Sequence, residues 1–172
     1  MEKRLVQPVK TGAPTLIVSI PRAAPGFDSQ QIVYIRNLHT FEYFQQSQWV
    51  DTPAAMLLPL MVKALERSGQ FSAVIQVPSS AAGQLRLDVE IVRLQHEFLK
   101  IPSSVHFTLR AHLLDTVTRK ILGWREFDAI VPSASEDPYG GVLAASSAVR
   151  IVIDELVLFC GQTAGNLSER EP

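Results

Sequence analysis

The chain has 172 residues, of which 47% are hydrophobic and 19% charged, and its formal net charge is −1. This composition excludes an intrinsically disordered protein, and the length fits one domain with a substantial core. Because the basic residues are scattered along a nearly neutral chain, we expect no nucleic-acid binding, and no basic tract points to anionic lipid.

The sequence predicts neither a secretory signal at its start nor a segment long enough to span a membrane. The charges of Met1–Leu5 are not followed by an apolar run, so the sequence predicts no secretory signal. The longest apolar stretch, Ala54 to Val62, contains Pro59 and is shorter than the roughly 20 residues that span a bilayer. Composition leaves open whether this is a cytosolic protein or a mature domain without its leader.

The first third of the chain predicts three strands and one turn. Thr15 to Ile20 is β-branched, apolar on both faces and bounded by prolines, as in a strand inside a covered sheet. Pro25 to Asp28 has the composition of a turn. Ile32 to Arg36 and Thr40 to Phe44 follow as two further strands.

The first helix is predicted to begin at Thr52, whose hydroxyl can cap it, with Pro53 at the first helical position. Gly69 suits the left-handed residue that ends a helix, and Pro59 predicts a bend near residues 55–59. One face of this helix is apolar at three- and four-residue spacing, through Leu57, Leu58, Met61, Ala64 and Leu65.

After a strand from Phe71 to Val77 and an exposed loop from Pro78 to Gly83, a long alternating strand begins at Leu85. Its apolar phase changes at Ile91–Val92, which predicts a β-bulge there. A partner strand alternates from Val105 to Leu113 and a third runs from Ile121 to Val131.

The turn between the two long strands predicts their register. Placing the turn at Lys100 to Ser103 pairs Glu97 with His106, Gln95 with Thr108 and Phe98 with Val105. In the third strand we predict a second phase change, between Trp124 and Phe127.

The closing helix is predicted to begin near Asp137–Tyr139 and to end by Gly161. Gly140 and Gly141 keep its first turns thin and allow close approach to a sheet. Its apolar stripe recurs at three- and four-residue steps through Val142, Ala145, Val149, Val152, Leu156 and Phe159.

No catalytic, cofactor or metal signature is present. His106 and His112 would lie about 20 Å apart on one strand, too far to share an ion, and His39 and His96 have no ligand at metal spacing. There is no Gly-x-Ser-x-Gly sequence, and Gly140–Gly141 lacks the Lys-Ser/Thr of a phosphate loop. We therefore predict no metal, no cofactor and no catalytic residue.

Three features could still carry a function. Cys160 lies in an apolar segment and is interpreted as a buried hydrophobe. Asp88, Glu90 and His112 share the polar sheet face, which favours a solvated surface over an acid–base site. An aromatic group could fill the core or expose some members to a partner, and it comprises Phe41, Tyr43, Phe44 and Trp49.

The order of these segments resembles the auxiliary lipoproteins of bacterial ABC transport systems, a family long labelled a domain of unknown function. The resemblance extends from about Thr15 to Cys160. It rests on Tyr43 followed by Trp49-Val50-Asp51-Thr52-Pro53, on a Leu/Met-rich helix that ends Arg67-Ser68-Gly69-Gln70-Phe71, on the strand Leu85-x-Leu-x-Val-x-Ile, and on the helix from Tyr139 to Leu158.

The resemblance implies a protein of Gram-negative bacteria that is acylated on a cysteine after a signal peptide and held at the inner leaflet of the outer membrane. Such proteins accompany ABC transporters that have mammalian-cell-entry-type components and move lipids between membranes. This sequence has neither the signal nor the N-terminal cysteine, as expected of a mature domain without its anchor.

We predict an α+β fold, a mixed and mainly antiparallel sheet with two helices packed on one face. Residues 1–13 would be a flexible segment, residues 14–161 a single domain and residues 162–172 a flexible tail.

The main functional hypothesis is a non-enzymatic periplasmic subunit that docks a transporter component at the outer membrane. Self-association through exposed strand edges stays open. One alternative is a lipid or small-molecule carrier with a cleft between sheet and helices, and another is a hydrolase that uses His112. The candidate partner-binding residues are Tyr43, Trp49, Pro78, Ser79, Ser80 and Gly83.

Overall fold

The computed structural model describes residues 7–168. Between these residues the chain forms eight strands and two helices. In chain order they are β1 (Thr15–Val18), β2 (Arg22–Ala23), β3 (Gln31–Ile35), β4 (Glu42–Gln48), α1 (Pro53–Arg67), β5 (Ala73–Gln76), β6 (Leu85–Glu97), β7 (Ser104–Asp115), β8 (Ile121–Pro132) and α2 (Pro138–Ser168).

Strand β6 is the centre of a single mixed sheet. On one edge it pairs with β7 along its whole length, and β7 pairs with β8, both antiparallel. On the other edge β1, β2 and β3 follow one another as short parallel segments. Strand β5 extends the sheet beside β1, and β4 extends it beside β3. The long pairings are thus antiparallel, as the sequence predicts.

Both helices cover the same face of this sheet. Strand β6 turns Leu87 and Ile91 toward them, and β7 turns Leu109 in the same direction. Val152 and Leu156 of α2 are completely buried in the same core cluster as Met61 and Leu65 of α1. The predicted α+β architecture, with two helices on one face, is confirmed.

The capping signals of α1 act as predicted. The Thr52 hydroxyl accepts a hydrogen bond from the Ala55 N–H at 3.4 Å, and Pro53 opens the helix. Gly69 follows the helix with a φ of +66°, and a Cβ there would lie 2.8 Å from the carbonyl oxygens of Gln7 and Pro8. Only glycine therefore fits this position without strain. The helix continues through Pro59, and the predicted bend stays a prediction.

The predicted register between β6 and β7 is wrong by two residues, although the bulge is confirmed. The ladder shifts between Ile91 and Arg93, beyond which Gln95 pairs with His106 and Glu97 with Ser104. Because side chains alternate with a period of two, a shift of two residues keeps each one on its predicted face. Polar patterning therefore could not distinguish the two registers.

Two further predictions, one on β8 and one on α2, are wrong. Strand β8 has no phase change between Trp124 and Phe127; its irregularity lies between Gly123 and Ile121, opposite Leu113 and Leu114. Trp124 faces away from the helices and stacks on His112, so it does not belong to the core. Helix α2 continues past Gly161 to Ser168, since Ala164 is still buried.

Candidate partner-binding surfaces

Tyr43 lies on β4, an edge strand that within residues 7–168 pairs with β3 alone. It is exposed and sits opposite Val33. An open depression of about 450 Å³ covers this strand, lined by Gln31, Tyr43, Phe44, Gln45, Gln46, Ser47 and Gln48. Unpaired backbone groups and uncharged side chains make an edge of this kind a place where another strand can add.

Trp49 follows β4 but is half-buried and packs against the core. Its backbone N–H donates to the Gln30 carbonyl at 2.8 Å, which ties the end of β4 to the segment before β3. Its side chain borders a cavity of about 10 Å³ between the sheet and α2. Trp49 therefore holds the end of β4 against the core and is not itself an exposed contact residue.

The other predicted residues, Pro78, Ser79, Ser80 and Gly83, lie in the loop between β5 and β6. The loop is exposed except for Gly83, whose backbone lies close to the Ile17 side chain. Strand β5 joins the sheet beside β1 near Leu85–Leu87, whereas β4 joins it beside β3 near Gln95–Glu97. At about 3.3 Å per residue the centres of these places are roughly 30 Å apart. The predicted residues thus form two surfaces.

The cleft between sheet and helices does not fit a lipid. Its apolar cavity of about 10 Å³ has room for a single water molecule. It is closed by Leu94, Val105 and Ala145, which belong to the packed core. An acyl chain would have to displace α2 to enter here.

A buried histidine that the sequence did not mark as important borders this cavity. His96 is 2% exposed, and its Nε2 lies 2.8 Å from the Ser103 hydroxyl and 3.0 Å from the Ser133 hydroxyl. Nδ1 is buried without a hydrogen-bond partner in the described residues, and a Cβ on Gly141 would come within 2.5 Å of it. The close approach that the two glycines predict therefore occurs against His96.

Burial lowers the pKa of His96, and the carboxylates of Glu136 and Asp137 oppose this shift in part. The histidine therefore stays neutral at neutral pH and joins β6 to the segments that follow β6 and β8. A signal for it was present, because His96 lies in the same strand phase as Leu94 and Phe98.

The opposite face of the sheet carries rows of paired charges. Arg110 lies 2.9 Å from Glu126 and 3.7 Å from Glu90. His106 lies between Glu97, at 3.1 Å, and Asp128, at 2.8 Å. Burial acts to raise the pKa of Asp128, but hydrogen bonds from Thr108 and His106 outweigh it, so this pKa is lowered.

The residues of the hydrolase hypothesis do not converge on this face. Asp88 accepts from the Ser19 hydroxyl at 2.6 Å and pairs with Arg86. His112 stacks on Trp124, with ring centroids 6.2 Å apart, and within residues 7–168 it makes no hydrogen bond to a carboxylate. His112 therefore has no carboxylate to orient it as a general base, and the carboxylates of this face pair with Arg86, His106 and Arg110 instead.

Other chemical groups have equally limited roles. Among residues 7–168, no three His, Cys, Asp or Glu side chains are grouped so that they could hold a metal ion. Cys160 is completely buried, and burial raises the pKa of its thiol to about 12, so the thiol is inert. Within the same residues no helix has the length and apolarity needed to cross a membrane.

Solved structures with the same fold include the Xanthomonas campestris protein XCC0632, a DUF330 protein. It is 23% identical, covers 94% of each chain and has a TM-score of 0.84. The hypothetical protein CT253 of Chlamydia trachomatis is 11% identical over 85% of this chain and 96% of that chain, with a TM-score of 0.54.

PelC of Paraburkholderia phytofirmans, solved as a dodecamer, is 12% identical over 85% of this chain and 89% of that chain, with a TM-score of 0.51. No curated protein matches the chain. The model of the family described as ABC-type transport auxiliary lipoprotein component matches residues 2–157. DUF330 is the earlier name of that family. The chain therefore belongs to the family of ABC-type transport auxiliary lipoprotein components.

Proposed function

We propose that this protein is a non-enzymatic periplasmic subunit of an ABC transport system that works in intermembrane lipid trafficking. A lipid anchor would hold it at the outer membrane, where it docks a periplasmic or mammalian-cell-entry-type component of the transporter. The observation that carries the proposal is the family match over residues 2–157. The paired charges of the open sheet face and the inert Cys160 agree with a role in binding without catalysis.

The β4 edge is the surface that best suits docking. No other described strand pairs with its outer backbone groups, its exposed residues from Gln45 to Gln48 are uncharged, and Tyr43 offers an exposed aromatic ring. Strand β8, the edge on the other side, carries Arg125, Glu126 and Asp128, which discourage strand addition. We assign the transporter contact to β4, with the Pro78–Gly83 loop as a second contact.

Self-association is a second candidate, because the similar fold of PelC was solved as a dodecamer. Exposed strand edges on opposite sides of the sheet would allow head-to-tail contacts between copies. Such an assembly would present several β4 edges to one transporter, which raises the effective affinity.

Site-specific photo-crosslinking in the native bacterium tests the docking role. A photoreactive residue replaces Tyr43 or Ser80 in the full-length protein, and exposed Ser146 on α2 is the matched control. We expect crosslinks to an ABC-system subunit from Tyr43 but not from Ser146. Products from Tyr43 that contain no transporter subunit would overturn the proposal.

Membrane fractionation of the same strain tests the anchoring separately. The protein should sediment with outer membranes and should incorporate labelled fatty acid. A soluble, unlabelled protein would contradict the lipoprotein assignment whatever the crosslinks show.

A further inference from the structure

The segment that precedes β1 lies across the C-terminal end of α1. The Gln7 N–H donates to the Arg67 carbonyl at 3.3 Å, and the Lys10 N–H donates to the Gly69 carbonyl at 3.1 Å. Arg67 is the last residue of α1, so the first bond occupies one of the carbonyls that a helix leaves without an internal partner at this end. We call residues 7–14 the N-terminal strap.

Further hydrogen bonds continue along the N-terminal strap as far as the sheet. The Ala13 N–H donates to the Lys10 carbonyl at 3.2 Å, which closes a turn in the strap. The Pro14 carbonyl accepts the Ser72 N–H at 3.0 Å, and β1 begins at the next residue. Backbone hydrogen bonds therefore hold the strap at both of its ends and in the middle.

Two glycines allow close packing where the strap meets the helices. Gly69 has a φ of +66°, and a Cβ on it would lie 2.8 Å from the carbonyl oxygens of Gln7 and Pro8. The side chain of the next residue, Gln70, occupies the place that a Cβ on Gly161 of α2 would take. The end of α1 is therefore held between the strap and α2, and the strap has a fixed position on the domain.

The N-terminal strap and the β4 edge lie at opposite ends of the sheet. Strand β1, which follows the strap, pairs with the beginning of β6 through Leu16 and Leu85, whereas β3, which carries β4, pairs with Gln95–Glu97 at its end. The turn between β7 and β8 is at the end near the strap, since Asp115 pairs with Leu85. The 13 residues of β6 separate this turn from the turn between β6 and β7 by about 40 Å, at about 3.3 Å per residue.

We infer that the N-terminal strap orients the anchored protein, so that the end with the β7–β8 turn faces the membrane and the β4 edge is held away from it. A membrane anchor on the N-terminal side of Gln7 attaches the domain through the strap, and the strap transmits this attachment to one end of the sheet. This orientation requires no affinity of any side chain for lipid. Without the bonds to α1, residues 7–14 would be a flexible tether with an end-to-end distance of roughly 15 Å, and the domain would turn freely. The inference rests on the proposed anchoring for its place in the cell.

Amide hydrogen exchange followed by NMR tests the strap itself. The Lys10 amide should be protected in the unaltered protein, because it donates to the Gly69 carbonyl. Gly69→Ala should remove this protection, since the new Cβ takes the place of the strap backbone. Gly165→Ala, which meets nothing within 4 Å, is the matched control and should leave the protection unchanged. Unprotected exchange of the Lys10 amide in the unaltered protein would overturn the inference.

Energy transfer on vesicles tests the orientation. A hexahistidine tag before Met1 attaches the full chain to vesicles that contain a nickel-chelating lipid and a rhodamine-labelled lipid as acceptor. Because Cys160 is buried and inert, the exposed positions in Val117→Cys and Ile101→Cys can each be labelled alone with a donor. Transfer should be at least about twofold stronger from position 117, at the strap end, than from position 101, about 40 Å away at the other end.

Two strap variants should reduce this difference. Gly69→Ala displaces the strap, and Lys10→Pro removes the N–H that donates to Gly69 while leaving α1 unchanged, so it decides the matter if Gly69→Ala does not fold. Thr11→Pro is the matched control and should keep the difference. The Gly12 φ of +75° and the bond from the Ala13 N–H make a type II turn, in which proline suits the position of Thr11.

Equal transfer from positions 117 and 101 in the unaltered protein would overturn the inference, and so would a difference that persists in both strap variants. The tag replaces the native anchor, so this result does not depend on acylation. A protein that is not acylated in the bacterium but shows the difference on vesicles would refute the proposed anchoring and leave the strap in place. An acylated protein that shows no difference would refute the strap alone.

Discussion

The two faces of the meander β6–β8 are built by the same three strands but respond to different forces. The face under the helices excludes water, and its one histidine is held neutral between two hydroxyls and a glycine. The open face carries ion pairs, of which Arg110 with Glu126 is more than one-third exposed on both sides, at 39% and 43%. The comparison teaches that side chains on the covered face must fit a closely packed interior. The open face tolerates substitutions, because water replaces the partner that a charged side chain loses.

The sharpest test of this contrast puts a charge into each environment. Val152→Asp, on the buried side of α2, should unfold the protein, with a loss of more than about 4 kcal/mol. Ile151→Asp, on the exposed side of the same turn, should cost less than about 1 kcal/mol. Thermal melts followed by circular dichroism compare them, and equal melting temperatures would remove α2 from the core.

A single methyl group provides the next test. Gly141→Ala places a Cβ within 2.5 Å of His96 Nδ1, and the ring cannot retreat without losing Ser103 and Ser133. We expect a loss of about 1–3 kcal/mol in urea unfolding. Gly165→Ala meets nothing within 4 Å on the same helix and should be neutral or stabilising by up to about 1 kcal/mol. Similar effects at both positions would contradict the tight contact.

The buried histidine should also make stability depend on pH. Because burial lowers the pKa of His96 in the folded protein below the ordinary 6.5, the unfolded chain binds more protons in mildly acidic solution. Its contribution is fully present above pH 6.5 and is lost as the pH falls below it, at about 1.4 kcal/mol per pH unit until the folded pKa is reached.

Urea titrations between neutral and mildly acidic pH measure this slope, and His96→Gln should reduce it. His39→Asn is the control, since His39 is exposed and Asn accepts its φ of +71°. A slope that is the same in both variants would mean that His96 carries no part of the pH dependence.

The smallest effect is expected on the open face. Arg110→Met removes the ion pairs to Glu126 and Glu90, all partly exposed, and should cost no more than about 1 kcal/mol. High salt should shrink the difference from the unaltered protein. A loss of unfolding free energy as large as that of Gly141→Ala would show that these ion pairs stabilise the fold as much as the buried contact does.

Features set by neighbouring residues were predictable from the sequence. The cap at Thr52–Pro53, the turn at Gly69, the bulge at Ile91–Val92 and the start of α2 all follow from local chemistry or strand period. Strand β2 was missed, because two residues carry no period, and the irregularity of β8 was predicted between Trp124 and Phe127 although it lies between Ile121 and Gly123.

The surfaces were predictable only in part. Membership of an aromatic cluster marked Tyr43 as a candidate contact, and the composition of Pro78–Gly83 marked an exposed loop. The turns after β3 and β6 gave no sign that they are neighbours, because they are far apart in the chain and only the pairing of β3 with β6 brings them together. The periodicity of one segment does not show which distant segment pairs with it.

The bulge at Val92 has a consequence for how this family can vary. Everything in β6 beyond it, from Leu94 to Glu97, faces its correct side only because one extra residue resets the alternation. Losing a single codon here would turn Gln95 and Glu97 toward α2 and expel His96 into water. Length changes in surviving relatives should therefore accumulate in loops such as Pro78–Gly83, and the residue count from Leu85 to Glu97 should stay invariant.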